Sequence, residues 1–578
     1  MNKFALALAF APAALYAAET ADPRVRTFVD PVRVVATSES GAGGGFSGRC
    51  SVKDESYVLE RVRGQVPNRG WGNGAGCRLE NTGNSAWIVL DYGREIHGGL
   101  EFAVSFASTR VPRVRVRFGE SVAETLSDAL LGEKGACNDH AMRDFEISLP
   151  VMGTLEIGNT GFRFVRIDLV SPGKLTLESL RAVSLMRPMK RLGAFRCSDG
   201  RLNDIWETAV RTVHLCCQNM LWDGIKRDRL VWMGDTHPET CAILAVFGEA
   251  DVLRDSLDHV AATTPPGRWV NGIDTYTTWF VRNMREYWFF TGDESFLKAR
   301  EKALRTAIGN LVSPDAVKGR GGMPGFLDWP THDDPESEKT GAAALRALGL
   351  DDAAEMADVL GDAALAAKCR SEASALRSAG APACHAKSAA AIVALAGMRS
   401  PKLVFSETLG RNGHEGVSTF YGYYMLEAMS AAGEDARALD TARDYWGGML
   451  DMGATSFWED FSLSWTNNAF RIDEMPVAGK KDMHGDFGAY CYRGFRHSLC
   501  HGWSAGPAAW CINHVLGIRP LDAGCKTVEV RPFLGDLDWA EGAMALPGGR
   551  SVKVKAVKRA DGGIDFTVDA PDGVEVRK

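Results

Sequence analysis

The spacing of apolar residues changes twice along this chain, near residues 190 and 517, and those changes constrain the fold more than any other feature. Before residue 190 the pattern is that of strands. Arg113-Val114-Arg115-Val116-Arg117-Phe118 alternates, with the valines and Phe118 inward and the arginines outward. Trp87-Ile88-Val89-Leu90 is a short apolar run ended by Asp91-Tyr92-Gly93. Gly161 to Asp168 alternates less regularly, and Lys174 to Met186 favours extended structure. Short strands punctuated by Gly and Pro indicate a β-sandwich over residues 19–190, with residues 19 to about 80 Gly-rich and irregular. From Leu202 the period becomes helical: Ile205, Trp206, Ala209, Val210, Val213 and Cys217 follow, with Ser198 as the N-cap. Further helices are predicted at about 239–248, 251–262, 275–290, 294–311, 338–348, 351–376, 386–397, 418–432, 435–450 and 502–516. Many are apolar on more than one face, which fits a double-layered helical barrel over 191–517 better than a simple bundle. After Gly517 strands return at Thr527–Arg531, Ser551–Val557 and Ile564–Val568, with a turn at Asp561-Gly562-Gly563. This 518–578 tail is small for an independent domain and is expected to pack on the helical one.

At 578 residues the chain is too long for one core. A net charge of −7 with no long basic run argues against nucleic acid as the main partner and suits a neutral or mildly acidic ligand. Lys3, the apolar run Phe4 to Leu15, and Ala17-Ala18 read as a signal peptide over residues 1–18, so a secreted or periplasmic protein is expected. No later stretch reaches the roughly 18 unbroken apolar residues of a membrane span. Thirteen cysteines are scattered without CxxC or Cys/His ligand spacing, so no structural zinc site is expected. Many lie in apolar helical surroundings and read as small buried hydrophobes.

The chemistry concentrates in Trp222 to Glu239, an irregular segment that Gly224, Gly234 and Pro238 keep from any long period. It carries Asp223, Asp228, Asp235, His237 and Glu239 among basic residues and two tryptophans. Lying between apolar helical runs, it reads as a loop at the mouth of a scaffold. Indole faces suit sugar rings, and clustered carboxylates suit glycosidic acid/base chemistry. In Gly453 to Phe461, Glu459 stands between Trp458 and Asp460, and two adjacent carboxylates beside an indole favour a raised pKa on one of them. His501 precedes a helix rich in small residues. Phe326-Leu327-Asp328-Trp329-Pro330 offers one carboxylate and one aromatic, and the predicted polar helix with Trp279, Arg282, Arg285 and Glu286 is a further candidate for the same cavity. No phosphate-binding Gly-rich loop, G-x-S-x-G elbow or H-E-x-x-H occurs, which removes support for nucleotide, serine-hydrolase and zincin readings.

Taken together, these segments resemble glycoside hydrolase family 78, the inverting α-L-rhamnosidases. The family loop reads approximately D-C-P-Q-R-D-E-R-L-G-W-T-G-D; this chain has Asp223, Arg227-Asp228-Arg229-Leu230, Trp232 and Gly234-Asp235. Glu459 resembles the general base of the family's G-A-T-T-x-W-E segment, and His501 its sugar-contacting histidine. Ile518-Arg519-Pro520 followed by Val528-Glu529-Val530-Arg531-Pro532 is similar to the entry into the C-terminal sandwich. The resemblance implies an (α/α)6 barrel between two β-sandwiches and an inverting hydrolase acting on a terminal α-L-rhamnosyl or similar residue of a carbohydrate, without metal or organic cofactor. It implies sugar contacts from Asp223, Arg227, Trp232, Asp235, Glu239, Asp328, Trp329, Trp458 and His501. The loop is one residue shorter than the family's and lacks its acid glutamate. Asp228 is the positional substitute, and Asp235 and Glu239 are the other candidates. A hydrolase for another sugar, such as an unsaturated uronyl residue, and a catalytically silent carbohydrate-binding protein are the competing expectations.

Overall fold

The computed structural model describes residues 22–38, 49–50, 77–83, 86–128, 133–135, 138, 140–317 and 323–578. The expected signal peptide lies outside the described residues, as does most of the Gly-rich stretch. Within that stretch Val25–Val29 and Arg33–Thr37 are strands.

The N-terminal region is one hydrogen-bonded network of nine strands among the described residues. Its spine is Ala86–Ala107, paired antiparallel with Gly153–Leu169 and Gly173–Met186. Asp91-Tyr92-Gly93 does not end this strand. Gly93 takes φ +80, the register shifts between Asp91 and Ile96, and pairing resumes. A glycine bulge bends the strand without breaking the ladder. One face carries Ile88, Leu90, Phe102, Val114, Val116, Phe118 and Phe162 into a separate apolar core. The other face is not wholly solvated, as strict alternation predicts. Arg117 is buried against Asp168 at 3.1 Å, and Arg163 chelates Asp91 and donates to the Gly453 carbonyl at 2.9 Å. That polar face is covered because it docks on the helical region.

The helical region begins with Gly200–Cys216, and its N-cap is Asp199, not Ser198. The Asp199 carboxylate accepts from the N–H of Arg201 and Leu202, whereas the Ser198 hydroxyl accepts from Asp538. Pro335–Val359 is one continuous helix where a break near residue 349 is predicted. Gly349 is there for close approach: a Cβ would lie 2.4 Å from Thr278 Cγ2 on the helix Asp274–Thr291. The break falls instead at Gly361, with φ +75. No helix among the described residues is long and apolar enough to cross a membrane. Eleven cysteines among the described residues are free thiols, nine of them buried.

The C-terminal strands do not stand alone. Ala194–Cys197, ahead of the first helix, pairs with Trp539–Leu546, so the two ends of the helical region close on one sheet. Leu546, Val552 and Val554 belong to the same apolar core as Trp206, Trp279 and Trp446.

Gly349→Ala is expected to destabilise the fold by about 1 kcal/mol or more through overpacking, despite the better helix propensity of alanine. In a Thr278→Ser background, which removes the opposing methyl, the same change should become neutral or stabilising. Urea denaturation of the four proteins measures this, and additive effects would refute the contact.

Candidate active site

Three segments far apart in the chain are stitched together by main-chain bonds. Gly224 and His501 form an antiparallel bridge, and Gly502 N–H donates to the Asp223 carbonyl at 2.7 Å. His501 N–H donates to Phe457 O and Glu459 N–H to Ser498 O, each at 2.9 Å. Asp223, Glu459 and His501 are thereby set on adjacent backbones. Gly502 permits this: a Cβ there would fall 1.4 Å from Glu239 Oε1.

The segment Trp222 to Glu239 is a loop only to Trp232, which precedes the helix Met233–Val246. Asp235 and Glu239 therefore sit one turn apart on a helix start. The turn before it is tight, with Arg229 N–H reaching Arg227 O at 2.6 Å. Asp228 and Arg229 take φ +52 and +56, a conformation unfavourable for residues with a Cβ. Arg229 is held by the carbonyls of Asn159 and His140, and Asp228 N–H donates to His140 Nδ1 at 3.2 Å. Residues of the N-terminal region thus hold the strained turn.

Arg227 is buried and central. Its Nη2 donates to Glu459 Oε1, and its Nη1 lies 3.5 Å from Asp228 Oδ1. Glu459 Oε2 accepts from Ser498 N–H at 3.0 Å. The Glu459 main-chain carbonyl accepts from Trp503 Nε1 and Thr419, which fixes the backbone of this residue. His501 Nε2 stands 3.6 Å from Asp223, 3.7 Å from Glu459 and 3.9 Å from Asp235.

Burial dominates the electrostatics. It pushes the carboxyls of Asp223, Asp235 and Glu239 well above the usual range, with the neighbouring carboxylates adding to the effect. Burial also lowers His501 to about 4, leaving it neutral at pH 7. Of the adjacent pair, Asp460 is raised, to about 7, by burial and then by Glu459. Both Glu239 oxygens and His501 Nδ1 are buried without a hydrogen-bond partner among the described residues. Asp228, by contrast, keeps 24% of its side chain exposed. The site thus offers polar groups awaiting hydroxyls, beside one accessible carboxylate.

Below this floor, Lys226 is 1% exposed and reaches Glu124 at 2.9 Å, Glu120 at 3.3 Å and the His497 carbonyl at 3.0 Å. Glu120, Glu124 and His484 are close enough to share a metal ion, but the Lys226 ammonium already contacts both carboxylates. Glu120 in turn accepts from Leu499 N–H at 2.6 Å and lies 3.3 Å from Ser498 Oγ. None of Glu120, Glu124, Ser498 or His140 stands out in the sequence, because their meeting depends on how the N-terminal strands dock.

The structure brings together Asp223, Arg227, Asp228, Asp235, Glu239, Glu459 and His501. Trp232 is partly exposed and packs edge-on to Tyr276, whose hydroxyl donates to Asp235 at 3.1 Å. Trp329 is partly exposed and stacks on Tyr490, two residues before Tyr492, whose ring lies 6.0 Å from the Arg227 guanidinium. Two expectations are corrected. Trp458 is fully buried against Phe461 and His497, behind Glu459, with no free face for a sugar. Asp328 caps the helix Trp329–His332 and accepts from Ser388 and Ser418, so its oxygens are engaged. Trp279, Arg282, Arg285 and Glu286 line a cavity of about 420 Å³ with His237, Tyr424 and Glu427, and none of the carboxylates above lines it.

Comparison with known proteins agrees with this geometry. Residues 190–389 match the family model of the bacterial α-L-rhamnosidase six-hairpin glycosidase domain. The chain therefore carries a glycosidase-type helical domain. The family 78 rhamnosidase of Bacillus sp. GL1 superposes with TM-score 0.72 at 21% identity, over 89% of this chain and 55% of its own. A Klebsiella oxytoca rhamnosidase with rhamnose bound gives 0.64 at 18% identity, over 85% of this chain and 96% of its own. The Streptomyces avermitilis α-L-rhamnosidase complexed with L-rhamnose gives 0.65 at 18%, over 87% and 50%. The matched domain and these superpositions show that the chain shares the fold of the family 78 rhamnosidases. It spans about half the length of the Bacillus and Streptomyces proteins. No curated protein matches the sequence.

The raised Asp460 carboxyl has a consequence for stability. The folded protein holds a proton to about pH 7 that the unfolded chain releases near 3.8. The stability this confers is complete below 3.8 and is lost as pH rises through 7. Asp460→Asn should therefore raise Tm over wild type at pH 8 and leave it little changed at pH 4. Equal Tm values at pH 8 would show that Asp460 is ionised in the fold.

Proposed function

We propose that this protein is an inverting glycoside hydrolase releasing terminal α-L-rhamnosyl residues, or a closely related sugar, from glycans or glycosides. The observation that carries the reading is Arg227, whose two terminal nitrogens face Asp228 and Glu459. The two carboxylates stand on either side of one guanidinium, rather than in direct contact. An inverting mechanism keeps its two carboxyls apart, by about 6.5–9.5 Å, to admit the sugar carbon and a water. In this reading Glu459 removes a proton from the attacking water. Asp228, the accessible carboxylate, protonates the departing glycosidic oxygen. Neutral His501 and the buried carboxyls of Asp223, Asp235 and Glu239 hydrogen-bond the sugar hydroxyls; Trp232 and Trp329 pack on its apolar face. The helical region acts as an (α/α)6 barrel with the site at one end, and the apolar segment at residues 4–15 supports export.

The uronyl alternative calls for free cationic groups. Lys226 is engaged with Glu120 and Glu124, and Arg229 with two carbonyls, which leaves only Arg227 facing the site. That balance favours a neutral sugar.

Hydrolysis of an aryl α-L-rhamnoside tests the proposal, with proton NMR of the first-formed sugar expected to show the β-anomer. Glu459→Gln should lower kcat by about 10²–10⁴-fold with little change in folding. Sugar binding without turnover on a panel of aryl glycosides would instead identify a binding protein, and retention of configuration would refute the acid/base assignment. Asp228→Asn should lose most activity on a substrate with a poor leaving group and much less on α-L-rhamnosyl fluoride, whose departure needs little protonation. Equal losses on both would move the acid role to Asp235 or Glu239.

A further inference from the structure

A groove of about 310 Å³ runs beside the catalytic loop, between Leu230-Val231-Trp232 on one side and Pro265, Trp269 and His259 on the other. Leu230 is 53% exposed, an unusual position for a leucine flanked by a buried site. The two walls are locked to each other. Asn271, held at φ +51, donates from its side-chain amide to Val231 O at 3.0 Å and accepts from Met233 N–H at 3.0 Å. No Asp, Glu, Lys or Arg lines the groove.

We infer that this groove is the subsite for the leaving group, and that it takes an uncharged group with a flat apolar face. The inference rests on the proposed function. A general acid must stand beside the glycosidic oxygen, on the side from which the leaving group departs. Asp228 precedes Leu230 by two residues and Trp232 by four, so the loop that carries the acid also forms one wall of the groove, and Trp232 packs on Tyr276, whose hydroxyl donates to Asp235. Trp269 faces that wall across the groove, and two partly exposed indoles with a leucine and a proline present apolar surface for a ring. Thr263, Thr264 and the imidazole of His259 supply hydrogen-bonding groups. An aromatic aglycone and the apolar face of a second pyranose share this chemistry.

The test compares wild type, Trp269→Ala and Trp269→Phe on three substrates: an aryl α-L-rhamnoside, a rhamnosyl disaccharide, and α-L-rhamnosyl fluoride, which places no ring in the groove. Trp269→Ala should lower kcat/KM by about tenfold on the aryl substrate, the disaccharide or both, mainly through KM. The loss on the fluoride should be several-fold smaller, and Trp269→Phe should restore most of it. Which of the two ring-bearing substrates suffers identifies the source of the leaving group. Equal losses on all three substrates, or none, would overturn the subsite while leaving the hydrolase intact. If wild type hydrolyses none of them, the proposed function falls, and calorimetric titration with the aryl glycoside judges the groove alone. Binding that Trp269→Ala abolishes supports it, and binding that is absent, or that survives the substitution, overturns it.

Discussion

One buried ammonium ties this molecule's parts together. Lys226, in the loop from Trp222 to Trp232, satisfies Glu120 and Glu124 of the N-terminal region while donating to the main chain at His497. An ion at this depth is tolerable only when each charge has its partner; removing one partner of a buried pair typically costs about 3–5 kcal/mol. The coupling is directional. Glu120 also accepts from Leu499 N–H, and the preceding N–H, that of Ser498, holds Glu459. The Glu120 carboxylate, just after the strand Arg113–Gly119, is therefore two hydrogen bonds from Glu459, the proposed general base. The N-terminal region is a support of the site, and the Asn159 and His140 contacts to Arg229 and Asp228 repeat the theme around Asp228.

The strained turn at Asp228 and Arg229 follows from the same architecture. Two consecutive non-glycine residues at positive φ are costly, of order 1–3 kcal/mol each, and persist only where their surroundings hold them. Here Arg229 is clamped by two carbonyls. The turn compresses the loop between Arg227, fixed by Glu459, and Leu230, whose N–H is fixed by Asp223 at 2.9 Å. A loop one residue shorter than the family pattern can still bring a carboxylate back toward Arg227 if the backbone doubles on itself, and the left-handed pair does this.

Much of the site was legible in the sequence because its chemistry sits in three short, unusual segments. Asp223, Arg227, Asp228, Glu459 and His501 could be named from residue type and spacing, and main-chain bonds join them. What stayed hidden has two physical causes. Side-chain direction is not encoded in composition: Trp458 and Glu459 are neighbours, yet one fills the wall and the other faces Arg227. Asp328 looks like a sugar-binding carboxylate in a Trp-Pro loop, but an aspartate three residues before Thr331 N–H is equally a cap, and the cap won. Tertiary docking is the second cause. The alternation of Arg113 to Phe118 marks a strand correctly, but nothing in the strand pattern shows that Arg163, on the paired strand, would be buried against the Gly453 carbonyl. Gly349 looked like a helix break and is a point of contact between two helices. Glycine in a helical pattern carries both meanings, and only the partner surface separates them.

The start of the helix Met233–Val246 shows how one local element divides the labour. Asp235 and Glu239, four residues apart, share the face turned to the site. His237, between them, points away to Tyr424, with Oη 2.8 Å from Nδ1, in the wall of the separate cavity. Trp232, at the N-cap position, lines the groove beside the loop. A rigid helix start fixes these directions together, so a shift of the helix would move Asp235, Glu239 and the groove wall in concert. Asn271 resists such a shift at Met233 N–H, and Asn283 does so at Met233 O, 3.1 Å away. Both amides come from the segment 270–291, which packs along this helix. The placement of Asp235 and Glu239 thus rests on two neutral asparagines anchoring one residue, a fixing that screening by salt leaves untouched.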